Sequence, residues 1–111
     1  MPAPPPPRDT TTGAVFEEMV PRALKHGGYS LEPPHQLVGN RPGGRKHYVD
    51  LIASKDGRTI LVSLKWQQSD GTTEQKVPFE VICLAEAIRA SSGRFAKAYV
   101  VLGGQGWTLR E

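Results

Sequence analysis

Cysteine is almost absent: Cys83 is the single one in 111 residues. An intrachain disulfide is therefore excluded, and the fold has to rest on a hydrophobic core. No apolar run approaches the ~20 residues that a membrane-spanning helix needs. The opening "MPAPPPPRD" lacks the charged-then-apolar order of a secretion signal, so a reducing cytoplasm is the expected compartment and no membrane partner is expected. Cysteine and histidine are not spaced as structural zinc ligands. Internal repeats are missing as well. Neither sign of charge dominates: 14 basic against 11 acidic residues leave +3, which is compatible with a nucleic-acid partner without requiring one.

What is present divides into a tail and one domain. Residues 1–10 are proline-rich and read as a disordered, extended segment. Residues 11–111 read as a single domain with one modest core. Thr11 or Thr12 can cap a first helix that ends at Gly27-Gly28, with Val15, Phe16, Met19, Val20, Ala23 and Leu24 as its apolar stripe. Pro21 falls opposite that stripe and is expected to kink the helix toward solvent. Weak strand signals follow at 29–31 and 36–38. Two apolar runs, 46–54 and 58–66, flank Asp56-Gly57, the dipeptide best suited to a type I′ hairpin turn. A second helix is expected from Val77 or Pro78 to Ala90, with Pro78 suited to a first helical position. A strand in "FAKAYVVLGG" comes next, and a last short one in "GWTLRE". The order α-β-β-β-α-β implies an α/β domain with a mixed central sheet.

The hairpin places side chains. If Asp56 and Gly57 form the turn, Lys55 pairs with Arg58, and stepping back along both strands sets Asp50 across from Ser63. Lys65 lies two residues beyond Ser63 on the same face. A lysine inside "ILVSLKWQQ" needs a negative partner, because an unpaired buried ammonium is costly. Asp50, diagonal to it, is the expected partner. Such a pair either fixes strand register or belongs to a site.

This arrangement resembles the PD-(D/E)xK nuclease superfamily, in which an Asp opens the second strand of an α-β-β-β-α-β core and a (D/E)xK lies on the third. Asp50 matches the motif Asp, Lys65 the motif Lys, and Gln67 a polar residue that often follows. The layout is most similar to archaeal-type Holliday junction resolvases, through Gly13-x-x-x-Glu17, Gly28-Tyr29 and Gly106-Trp107. Ser63 departs from the pattern, since the family usually has an acid there. In a subset of type II restriction enzymes with S-x-K, a Glu from the following helix supplies the missing carboxylate, and Glu80 is similarly placed.

The resemblance implies a metal-dependent DNA endonuclease using Mg²⁺ or Mn²⁺ on duplex or branched DNA. Asp50 would be the metal ligand, joined by Glu80 or Glu17 and the carbonyl of Leu64. Lys65 would orient or help deprotonate the attacking water and offset phosphate charge. Ser63 would hydrogen-bond, for instance to a metal-bound water. On the first helix Glu17 flanks the apolar stripe whereas Glu18 points away, so Glu17 is the candidate there. Arg41, Arg45, Lys46 and His47 precede the Asp50 strand and are candidate phosphate contacts, or simply a solvated loop. Lys76, Arg89, Arg94 and Lys97 are too scattered to form a patch in the sequence. Symmetric cutting of two strands implies a homodimer. The competing reading is a catalytically inert nucleic-acid-binding or assembly module that retains the fold.

Overall fold

Asp56 and Gly57 have φ of +53° and +76°, the left-handed pair that a type I′ turn requires. The expected register follows from it, with Lys55 opposite Arg58 and the ladder running back to Leu51 opposite Val62. This computed structural model describes residues 13–41, 43–67 and 73–104. The proline-rich tail, the Thr11/Thr12 cap and the expected strand at 106–111 lie outside the described residues.

The elements run α1 (Gly13–His26), β1 (Ser30–Leu31), β2 (Gln36–Asn40), β3 (Lys46–Val49), β4 (Leu51–Lys55), β5 (Arg58–Trp66), α2 (Thr73–Ala90) and β6 (Lys97–Gly103). The main sheet has the order β1-β4-β5-β6, while β2 and β3 form a separate two-stranded sheet. β4 and β5 are antiparallel and β5 and β6 parallel, so the central sheet is mixed. A parallel pair needs a long crossover, and α2 supplies it.

The expected strand over 46–54 is two strands that serve different sheets. Val49 and Ile52 both pack in the core under α2, with Leu61, Leu84, Ala87 and Phe95. Unbroken alternation would put residues 49 and 52 on opposite faces. The chain therefore bends at Asp50: β3 turns off to pair with β2, and β4 stays with β5. The opposite face of the main sheet carries Leu51, Ala53, Ile60 and Val62, covered by Val20 and Leu24 of α1.

Two helix expectations change. Phe16 is buried and Val20 and Leu24 pack on the sheet, but Val15, Met19 and Ala23 are exposed. The buried face is thus rotated toward Pro21, which is half-buried rather than pointing to solvent. Gly103 permits this docking: a Cβ there would lie 2.8 Å from the Phe16 ring and 2.9 Å from Trp66. α2 begins at Thr73, so Pro78 sits inside the helix on an exposed position instead of starting it. As the sixth residue of α2 it lies past the four N–H groups that lack a partner within the helix, so its missing N–H costs one helical hydrogen bond.

Candidate active site

The bend at Asp50 has a defined hydrogen-bond consequence. In this two-residue hairpin, Lys55–Arg58, Ala53–Ile60 and Leu51–Val62 are the pairs that exchange backbone bonds. Leu64 would next bond the residue opposite, Val49, but the chain has left the ladder. The Asp50 carboxylate takes that place: the Leu64 N–H donates to Asp50 Oδ2 at 2.7 Å. The motif aspartate is thereby fixed to the residue between Ser63 and Lys65. Within a strand, a residue's C=O points to the same edge as its N–H, so the Leu64 carbonyl faces the fork as well.

Two cavities meet at Leu64. The first, about 390 Å³, is lined by Asp50, Glu17, Glu32, His35 and Lys25 among others. The second, about 590 Å³, is lined by Lys65, Arg41, Lys76, Glu80, Phe79 and Trp66 with Leu64. Acidic groups outnumber basic ones in the first, and cations outnumber the lone carboxylate in the second.

Glu80 is buried, at 3% exposure, and already engaged. His47 Nε2 lies 3.2 Å from Glu80 Oε1, and the Arg41 guanidinium donates to Oε2 at 3.4 Å. His47 itself is 1% exposed and faces α2 like Val49. Arg41 also lies over the Phe79 ring, 5.9 Å from its centroid. Of the four basic residues before the Asp50 strand, Arg45 and Lys46 are exposed, Arg41 is half-buried and paired, and His47 is interior.

Lys65 is half-buried, and no carboxylate among the described residues lies within ion-pair distance of it. Asp50 instead bonds Leu64, with His35 Nδ1 3.8 Å from its other oxygen. The Asp50 carboxylate stays 28% exposed. Ser63 is buried, and its hydroxyl has no hydrogen-bond partner among the described residues. Gln67 is buried, and its N–H donates to the Gly103 carbonyl. Glu17 is exposed on the wall of the Asp50 cavity. Asp50 and Glu17 thus share one cavity, Lys65 and Glu80 the other.

Sequence reasoning missed two members. Lys76 joins Lys65 in the basic cavity, and its position four residues before Glu80 on one helix was the available signal. His35 reaches Asp50 because its backbone N–H bonds the Asp50 carbonyl at 3.1 Å, a contact with no local signature.

The donors fit a hard divalent cation. Mg²⁺ is typically held by one or two carboxylates, with water and substrate phosphate completing the shell. Asp50 and Glu17 offer two carboxylates on one cavity. Among the described residues no three His, Cys, Asp or Glu side chains converge into a complete cage.

A mixed sheet forked at an aspartate, with a helix on each face, defines a restriction endonuclease-like fold. A family model described as a PD-(D/E)XK nuclease superfamily domain matches residues 8–110, and the chain belongs to that superfamily. The fold is similar to that in the crystal structure of the protein of unknown function AF1548, with a TM-score of 0.55 at 14% identity. The match covers 83% of this chain and 47% of the other, so the chain spans about half that neighbour's length. No curated protein matches it. Members of this superfamily generally use divalent metals. No helix among the described residues is long and apolar enough to cross a membrane.

Proposed function

We propose that the chain is a Mg²⁺- or Mn²⁺-dependent DNA endonuclease whose active centre lies at the fork between β4 and β5. The observation that carries this reading is the hydrogen bond from Leu64 N–H to Asp50 Oδ2, which joins an acidic cavity to a basic one at the S-x-K segment. Asp50, Glu17 and the Leu64 carbonyl would hold the cation, which supplies charge stabilisation on the phosphoryl oxygens and acidifies water. Lys65 orients the attacking water and offsets the negative charge that grows on the phosphate. Arg41 and Lys76, beside Lys65, grip the flanking phosphates, while Arg45 and Lys46 extend that contact from the adjacent loop. Glu80, held by His47, fixes Arg41 in place. In the net reaction the water oxygen bonds to phosphorus, and the bond to the leaving oxygen breaks.

A minimal core of this size suits a structure-selective enzyme, such as one acting on branched DNA, whereas the S-x-K pattern is nearer to restriction enzymes. A two-fold homodimer in the cytoplasm completes the reading. The buried Ser63, standing where the family usually has an acid, favours the alternative of an inert nucleic-acid-binding module.

Supercoiled plasmid and a four-way junction, each with Mg²⁺, Mn²⁺ or chelator, separate these readings. Metal-dependent cutting that Lys65→Ala abolishes supports the enzyme, and cutting confined to the junction selects the structure-selective form. Binding without cutting in either metal selects the inert module.

A further inference from the structure

The α1-side face of the main sheet presents a second basic surface at the hairpin end. Arg58, Ile60 and Val62 alternate onto that face, and Ile60 and Val62 belong to the core under α1. The parallel register sets Lys97 beside Ile60 and Tyr99 beside Val62. Lys55 lies across from Arg58. Lys55, Arg58, Lys97 and Tyr99 are all exposed, Tyr99 at 49%, and with Tyr29 they line a cleft of about 540 Å³. Asp56 is its single acid.

The members differ in how far they are committed. The Lys55 ammonium donates to the Gly27 carbonyl at 2.6 Å and sits 5.4 Å from the centroid of the Tyr29 ring. Those two side chains form a fixed wall. Arg58 and Lys97 have no ion-pair partner among the described residues. The cleft therefore offers two free cations beside a large exposed ring, on a rigid sheet. Seven steps along β5 separate Arg58 from Lys65, roughly 23 Å at ~3.3 Å per residue, so the cleft is distinct from the fork.

We propose that this cleft binds a single-stranded stretch of nucleic acid, with phosphates on Arg58 and Lys97 and a base stacked on Tyr99. Cations alone would serve a duplex, whose base faces are hidden in its own stack. An exposed ring beside them recognises an unpaired base, and stacking of this kind tolerates any sequence. The inference rests on the nuclease reading only for the ligand class, because the cleft uses no metal and none of the residues at the fork.

Fluorescence anisotropy with a labelled oligothymidylate, and with a duplex of equal length, tests it in the presence of chelator. Tyr99→Ala should weaken single-strand binding roughly tenfold and leave duplex binding almost unchanged. Tyr99→Phe keeps the ring and should bind like the parent, which also shows that the position tolerates substitution. The double variant Arg58→Glu/Lys97→Glu should lower the salt dependence of single-strand binding by about 1.4 in log–log slope, at ~0.7 per lost contact. Unchanged affinity in Tyr99→Ala, equal loss for both ligands, or no binding by the parent overturns the proposal. Single-strand binding of this pattern in a protein that cuts nothing with metal would retain the cleft and remove the endonuclease. Cutting by a protein whose Tyr99→Ala variant binds normally would do the reverse.

Discussion

Glu80→Ala is the substitution on which stability and chemistry separate most clearly. Removing this carboxylate strips His47 of its partner at a position only 1% exposed. Breaking a buried pair from one side costs ~3–5 kcal/mol. Arg41 moderates the loss, because 31% of its side chain is already in water and it retains the Phe79 ring. The lower end, about 3 kcal/mol, is expected. In a domain of this size each kcal/mol moves the melting temperature by ~4–8 °C, so a fall of roughly 12–24 °C should appear in circular-dichroism melts. Glu80→Gln keeps an acceptor for His47 and should lose less than half of that. Cleavage is then measured well below both transitions. Folded Glu80→Ala should bind DNA more weakly, since Arg41 is no longer held, yet keep metal-dependent turnover. Glu17→Ala should show the opposite, a parental melt with no cleavage. A Glu80→Ala protein that melts within ~3 °C of the parent refutes the structural role. If Glu80→Ala is inactive while folded and Glu17→Ala cuts normally, α2 supplies the ligand and the assignment to α1 is wrong.

Asp50→Asn should keep the fold, because an amide oxygen can still accept from Leu64 N–H, but should abolish cleavage and leave DNA binding intact or improved. Near-parental turnover in a plasmid assay would remove Asp50 from the centre. Ser63→Ala should be neutral or stabilising by up to ~1 kcal/mol in urea melts, since the hydroxyl it removes is buried without a partner among the described residues; a clear destabilisation would reveal an unseen bond. Burial pushes the Cys83 thiol above its usual pKa, with Glu80 adding to the rise and Arg41 opposing it. The native thiol should therefore react slowly with a disulfide reagent at pH 8 and quickly after denaturation. The folded protein favours the protonated form, so this contribution to stability is complete below the thiol's unfolded pKa and is lost as pH rises from there through the raised folded pKa. Gly104→Ala should destabilise by more than 1 kcal/mol, because φ is +95° and the new methyl would strike the Gln67 carbonyl.

The elements governed by local chemistry were legible in the sequence, and those governed by distant contacts were not. Asp56-Gly57 set a register that holds to Leu51–Val62, because a two-residue turn leaves the strands no freedom to slip. The break at Asp50 was hidden: "HYVDLIAS" reads as one strand, and only the competing pairing with β2 divides it. The expected Asp50–Lys65 pair assumed that the ladder continued past that point. Pro78 carried a helix-start signal that the five-residue extension back to Thr73 overrides. Glu80 stood out on its helix, but its partners His47 and Arg41 lie 33 and 39 residues away, beyond the reach of any periodicity.

The Leu64–Asp50 hydrogen bond gives one carboxylate two employers. One oxygen closes the seam where two sheets part, while the other faces the cavity. Loss of chemistry in a descendant chain would leave the seam's requirement in force, so a short side-chain acceptor, aspartate or asparagine, is expected at position 50 in inactive versions, and aspartate in active ones. Lys65 has no such second duty among the described residues. Across a set of such chains, drift at position 65 with Asp or Asn kept at position 50 would mark the ones that had stopped cutting.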